Sequence, residues 1–184
     1  MRDETPPPLR HRCVFFDRDG VVNRSPGEGY VLRREEFHLN PGIPEALRWL
    51  KDRGWLALLA TSQKCVGKGL LSRTELDRIH AGMQQELLLR GGAAFDGIYC
   101  HTGEPGEPHP AKPDPGMLFA ASRDHGIELG KSWMVGDADR DIAMAQAAGL
   151  LGTLRVLGEK PAGVEATGSV RSTLEIVNFF GNNL

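Results

Sequence analysis

Short apolar runs alternate with amphipathic stretches along most of the chain. Cys13-Val14-Phe15-Phe16 is continuously apolar and stops at Asp17. Its length and its aromatic and β-branched content predict a strand buried on both faces. Leu56 to Ala60 predicts a second strand, ending at Thr61-Ser62. Gly97 to Cys100 predicts a third and Trp133 to Val135 a fourth, and Leu150 to Leu157 holds a fifth. The intervening stretches carry helical spacing. Pro41 stands at a first helical position, with Ile43, Leu47 and Leu50 along one face and Gly54 as the stop. Ser72 and Glu75 make a capping box before Leu76, Ile79, Met83 and Leu87, which predicts a helix to about Arg90. Asp114-Pro115 begins another helix that ends at Gly126, and an Ala-rich helix runs to Gly149. Ser172 with Glu175 caps a last helix through Phe180.

Strands that alternate with helices predict an α/β fold: three layers, Rossmann-like, around a mostly parallel central sheet. Residues 12–184 read as one domain, and residues 1–11, with Pro6, Pro7 and Pro8, as a flexible arm. No insertion between Gly20 and Pro41, or between Thr61 and Lys112, is large enough for a separate cap domain. The polar, Gly-rich segment from Arg18 to Asn40 is nevertheless long for a plain connection, and loops of that size are often functional.

Composition narrows the partners. Lys and Arg total 22 against 24 Asp and Glu, a formal net charge of −2. That argues against binding nucleic acid or an anionic membrane through bulk charge. Cys13, Cys65 and Cys100 give no disulfide framework and suit a reducing compartment. No run approaches the ~20 apolar residues of a membrane span. A cytoplasmic protein without membrane or nucleic-acid partners, monomeric, is the expectation.

The chemistry gathers at the predicted strand ends, where parallel sheets bind their ligands. Asp17 and Asp19 leave the first strand two residues apart, in Asp17-Arg18-Asp19-Gly20. Asp-Gly is also a turn signal, so a surface turn is the competing reading. One carboxylate of such a pair can attack as a nucleophile while the other trades protons. Carboxylates this close repel, and a divalent cation with hard oxygen ligands, Mg²⁺, reconciles them. Asp137 adds a carboxylate at the fourth strand's exit. Asp139, by contrast, reads better as a helix-start residue. Thr61 or Ser62 offers a hydroxyl to a phosphate oxygen, and Lys112 a cation among prolines. Such parts suit phosphoryl transfer, which is chiefly positioning and charge stabilisation.

These residues carry a family resemblance. Val14 to Asn23 resembles motif I of the haloacid dehalogenase (HAD) superfamily phosphatases. Thr61 resembles motif II, Lys112-Pro113 motif III, and Val135-Gly136-Asp137 with Asp141 motif IV. Gly29-Tyr30-Val31, Pro41-Gly42, Gln63 after Thr61, and Pro115 to Leu118 extend the likeness to one branch. That branch holds the D,D-heptose 1,7-bisphosphate and histidinol-phosphate phosphatases. The resemblance implies a small sugar phosphate as substrate, with the heptose bisphosphate foremost and histidinol phosphate or another small metabolite as the alternative. It also implies that Asp17 becomes phosphorylated and that Asp19 is the acid and base. Mg²⁺ would be held by the carboxylates of Asp17 and Asp137 and the main-chain carbonyl of Asp19. Thr61, Ser62, Lys112, Arg18 and Tyr30 would bind phosphate or substrate, with Asp141 in support.

Two departures from the branch stand out. Its zinc loop is incomplete here: Cys100 and His101 are adjacent, and Pro108, His109 and Pro110 occupy the place of the later cysteine pair. Four-coordinate zinc needs a closed ligand set, so no structural zinc is expected. Ala111 stands where the branch often has Arg, and Ser62 where Asn is usual. Arg24, Arg33, Arg34, Lys64, Lys68 and Arg73 are alternative anion contacts, each by itself better read as a solvated charge. The non-enzymatic alternative is a binding or scaffold domain that keeps the fold.

Overall fold

The computed structural model describes residues 11–184. The predicted flexible arm lies outside them except for His11. That residue is tied down: its N–H donates to the Gly126 carbonyl and its own carbonyl accepts from Glu128, each at 2.9 Å.

Six strands form one sheet: β1 (Cys13–Phe16), β2 (Leu56–Ser62), β3 (Gly97–His101), β4 (Trp133–Gly136), β5 (Gly152–Val156) and β6 (Gly168–Val170). Their order is β3-β2-β1-β4-β5-β6, and every neighbouring pair is parallel. Parallel strands need crossovers, and the helices supply them: α1 (Ile43–Lys51), α2 (Arg73–Leu89), α3 (Gly116–His125), α4 (Asp139–Ala147) and a closing α5 (Ile176–Asn183). The two-residue period of a strand sorts the core into two layers. Val14 and Phe16 of β1, with Ala57 and Leu59 of β2, face α1, α2 and α5. Cys13 and Phe15, with Leu58 and Ala60, face α3 and α4. Both faces of β1 are thus buried, which is why its sequence is apolar without alternation.

Most elements fall where the sequence puts them, and the differences have local causes. The first helix begins at Ile43, with Pro44 in its first turn, rather than at Pro41. Gly42 takes φ +81°, and a Cβ there would lie 2.7 Å from Leu174 Cα. The Pro41 carbonyl meanwhile accepts from Thr173 Oγ1 at 2.6 Å. The chain at residues 41–42 is thus committed to the 173–174 segment. Ser172 caps a short 3₁₀ turn, Thr173–Glu175, that leads into α5. The strand β6 has three residues and no apolar run, so nothing in the sequence marks it. The segment from Arg18 to Asn40 is not simply polar: Val21, Val22, Val31 and Phe37 are buried in the core.

The strand order reverses at β1. The chain moves outward through β2 and β3 on one side and through β4, β5 and β6 on the other. The crevice beyond the carboxyl end of β1, between the exits of β2 and β4, is the switch point where such sheets bind ligands.

Candidate active site

Asp17, Asp137 and Asp141 meet at that switch point. One carboxylate oxygen from each lies within 4.8 Å of the others, and among the described residues this is the one such group of three. All three are buried. Asp17 follows β1 directly, and its main-chain N–H donates to the Val135 carbonyl at 2.9 Å, which fixes the two strand exits side by side. Lys112 joins them from the loop after β3. Its Nζ donates to Asp17 Oδ1 and to Asp141 Oδ1, both at 2.7 Å, and is itself almost fully enclosed. Asp141 also accepts from the Ala138 N–H at 3.0 Å, capping the start of α4.

The electrostatics follow from crowding. Burial raises Asp17 to about 6, reinforced by the Asp141 carboxylate, opposed by Lys112 and raised again by Asp137. Burial also raises Asp137 against the pull of Lys160, whose Nζ lies 2.6 Å from Asp137 Oδ2. Burial alone would lower Lys112, but Asp141 and Asp17 outweigh it and hold the ammonium charged. Asp17 Oδ2 and Asp137 Oδ1 remain buried with no hydrogen-bond partner. Unpartnered buried carboxylate oxygens are costly, and carboxylates gathered this closely are what a hard divalent cation takes as ligands. The residues present therefore fit Mg²⁺.

Asp19 behaves differently. Its carboxylate is held by Arg18, Asn23 and Gln63 at 2.8–3.1 Å. Burial pushes it up, but Arg18, Gln63 and Asn23 outweigh burial and hold it below the usual carboxylate range. Arg18, expected to touch substrate, does not line the cavity. Its side chain is fully buried and bonds inward to Asp19, to Gln63 Oε1 at 2.8 Å and to His80 Nε2 at 3.2 Å. Burial and the adjacent guanidinium lower His80 to about 3, so the imidazole is neutral and Nε2 accepts.

A cavity of about 280 Å³ opens above these groups, lined among others by Asp19, Ser62 and Lys112. Ser62 Oγ is buried and unpartnered. Thr61 is not on the cavity wall: its Oγ1 accepts from Gln63 Nε2 at 2.9 Å. Tyr30 does line the wall, and Lys68 Nζ donates to its hydroxyl at 3.0 Å. A larger hollow of about 660 Å³ lies beyond Lys160, past Arg24 and Asn40. The smaller cavity is the better candidate because it alone reaches Asp19, Ser62 and Lys112.

The other sequence candidates scatter. Arg33, Arg34 and Arg73 pair with Glu36, Glu86 and Asp77 on the surface. Asp139 holds Arg155 and accepts from the Gly163 and Val164 N–H groups, a clasp on the loop after β5. His101 Nδ1 lies 2.9 Å from the main-chain oxygen of His109. Two neighbours of Asp19 that the sequence showed only as motif letters, Asn23 and Gln63, prove to position it. Arg140 and Lys160 on the cavity wall had no sequence signal beyond being charges in a helix start and a loop.

Comparison with known proteins agrees with this geometry. The family model described as haloacid dehalogenase-like hydrolase matches residues 22–149. The chain belongs to that family. The activity that family and site together define is that of a phosphatase. A D-glycero-alpha-D-manno-heptose-1,7-bisphosphate 7-phosphatase from Burkholderia mallei is 35% identical over 93% of this chain and 94% of its own length. A D-glycero-D-manno-heptose-1,7-bisphosphate 7-phosphatase from Thermosynechococcus vestitus is 37% identical over 77% of each chain. Among solved structures, D,D-heptose 1,7-bisphosphate phosphatase from B. bronchiseptica, complexed with magnesium and phosphate, superposes with a TM-score of 0.81. It is 27% identical and matches over 94% of this chain and 99% of that one.

Proposed function

We propose that this chain removes the 7-phosphate of D-glycero-D-manno-heptose 1,7-bisphosphate, with Asp17 as the group that carries the phosphoryl between its two half-reactions. The observation that carries the reading is the pair of unpartnered oxygens, Asp17 Oδ2 and Asp137 Oδ1, beside the Lys112 ammonium at the switch point of the sheet. The relatives' substrate supports the choice of ester.

Asp17 and Asp137 would hold Mg²⁺ by their carboxylates and Asp19 by its main-chain carbonyl. Bound there, the ion neutralises charge on the phosphoryl oxygens and keeps Asp17 ionised near neutral pH. In the first half-reaction the Asp17 carboxylate attacks phosphorus. The bond from phosphorus to the C7 oxygen breaks, and Asp19 protonates the departing alkoxide. In the second, Asp19 takes a proton from water as its oxygen attacks phosphorus, which restores Asp17, and the proton then leaves Asp19 with the released phosphate. The surroundings of Asp19 favour its carboxylate form, which suits this second half. The proton for the first half can enter with the ester, whose second ionisation lies near pH ~6. Ser62 donates to a phosphoryl oxygen. Lys112 steadies Asp17 and offsets the charge of the transferring group. Arg18, Asn23 and Gln63 hold Asp19 in register, and Tyr30 stands on the wall against the sugar. The protein would act as a monomer in the cytoplasm.

The test is a steady-state comparison in Mg²⁺ of heptose 1,7-bisphosphate, histidinol phosphate and common sugar phosphates. The highest kcat/KM is expected for the heptose bisphosphate. A dominant value for histidinol phosphate would overturn the substrate while leaving the chemistry standing.

A further inference from the structure

Four cations line the cavity over the carboxylates: Lys64, Lys112, Arg140 and Lys160. Two are already spoken for. Lys112 bonds Asp17 and Asp141, and Lys160 bonds Asp137. Lys64 and Arg140 have no carboxylate within 4 Å among the described residues. Both are exposed, so they stand at the rim rather than the floor. They also stand on opposite sides. Lys64 follows β2 and Arg140 lies in the first turn after β4, and those strands flank β1 on its two edges.

The backbone under each is pinned. Beneath Lys64, the Gln63 N–H donates to the His101 carbonyl at 2.7 Å and the Gly67 N–H to the Thr102 carbonyl at 3.0 Å. Gly67 also passes so close to Gly103 that a Cβ would meet its carbonyl oxygen at 2.3 Å. Beside Arg140, the Asp139 carboxylate is bonded at 2.7 Å by Arg155 and at 3.0 Å by the Val164 N–H. Two cations on rigid supports, straddling the entrance and lacking any acidic partner, are an arrangement for a ligand's charge. The transferring phosphoryl group is met below, by Lys112 and Ser62, so the rim pair is surplus to a monoester. Ser25, Glu28 and Tyr30 on the remaining wall offer hydroxyl and carboxylate groups suited to a polyol between two charged ends.

We propose that Lys64 and Arg140 form a second anion seat, which holds the phosphate that is not hydrolysed and selects sugar bisphosphates over monophosphates. This rests on the heptose bisphosphate reading and assigns the residues that would enforce it. Arginine and lysine on opposite sides of one phosphate can act together, the guanidinium through a planar fork and the ammonium as a point charge.

The experiment is steady-state kinetics in Mg²⁺ on Lys64→Ala, Arg140→Ala, their double variant and Arg140→Lys. Each is measured with heptose 1,7-bisphosphate and with p-nitrophenyl phosphate, and melting curves check the fold. The ratio of kcat/KM between the two substrates should fall about tenfold for each cation removed, mostly through KM, and Arg140→Lys should restore part of the loss. An equal fall on both substrates, or no change in the ratio, would overturn the seat. If wild-type protein keeps its preference for the bisphosphate and only the variants fail to respond, the substrate reading survives and the seat does not. If wild-type protein hydrolyses p-nitrophenyl phosphate but prefers no bisphosphate to its monophosphate, both fall together.

Discussion

Gly20 is the residue with least room to change. Its φ is +95°, and a Cβ would lie 1.9 Å from Asp137 Oδ2. Gly20→Ala should cost about 1–3 kcal/mol of stability and push Asp137 out of place. We expect at least ~10-fold weaker Mg²⁺ binding by titration calorimetry; unchanged affinity would mean that Asp137 is not a ligand. Arg18 is the opposite case, a charge wholly inside. Arg18→Ala would strand Asp19, Gln63 and His80, and should cost about 3 kcal/mol in urea unfolding. Asp17 sets a pH dependence. Its value is raised from 3.8 to about 6 in the folded protein, so its stabilising contribution is complete below 3.8 and is lost as pH rises through 6. Metal-free wild-type protein in EDTA should therefore gain stability relative to Asp17→Asn between pH 7 and pH 5. With Mg²⁺ the acid limb of kcat/KM should move down as the ion concentration rises. A limb indifferent to Mg²⁺ would contradict the shared site.

The elements show why part of this was legible in advance. A buried parallel strand must be apolar throughout, so a carboxylate at its exit is conspicuous, and Asp17 and Asp137 could be placed by that contrast alone. Helix ends are equally readable where one residue does the work. The Ser72 hydroxyl accepts from the Glu75 N–H at 3.2 Å, as the capping box predicts. Ser72→Ala should cost about 1 kcal/mol in thermal or urea unfolding, without touching turnover. Side-chain direction was not legible. Thr61 and Ser62 are successive residues at the end of β2, so their side chains leave it in different directions. Gln63 Nε2 donates to Thr61 Oγ1 and so orients that hydroxyl, while Ser62 Oγ has no hydrogen-bond partner. The inward course of Arg18 was equally hidden, because the groups that receive it, His80 of α2 and Gln63 just after β2, are distant in the chain. The three-residue β6 carries no pattern of its own and exists because β5 offers it an edge.

At the scale of the whole molecule, the topology brings together residues 17, 62, 112, 137 and 141 from four separate stretches of the chain. Sequence reasoning reached that meeting through the rule for parallel sheets rather than through any local signal, and the reversal of strand order at β1 fulfils it. The larger hollow beside Asp137 and the rim cations could not be inferred that way, because they depend on how loops lie over the sheet. Linkage gives a global consequence. A ligand bound only by the folded state stabilises it by about 2.7 kcal/mol at a hundred times its dissociation constant, so saturating Mg²⁺ should raise the melting temperature by ~4 °C or more, reversibly with EDTA. Asp137→Ala should abolish that increment.

The account stands or falls on a phosphoryl group passing through Asp17. Rapid acid quench in the first turnover, with heptose 1,7-bisphosphate labelled in its 7-phosphate and Mg²⁺ present, should trap label on the protein. The bond should be labile to hydroxylamine, map to Asp17, and be missing from Asp17→Asn. Release of labelled phosphate at the normal rate with no protein-bound label at any time point would contradict it.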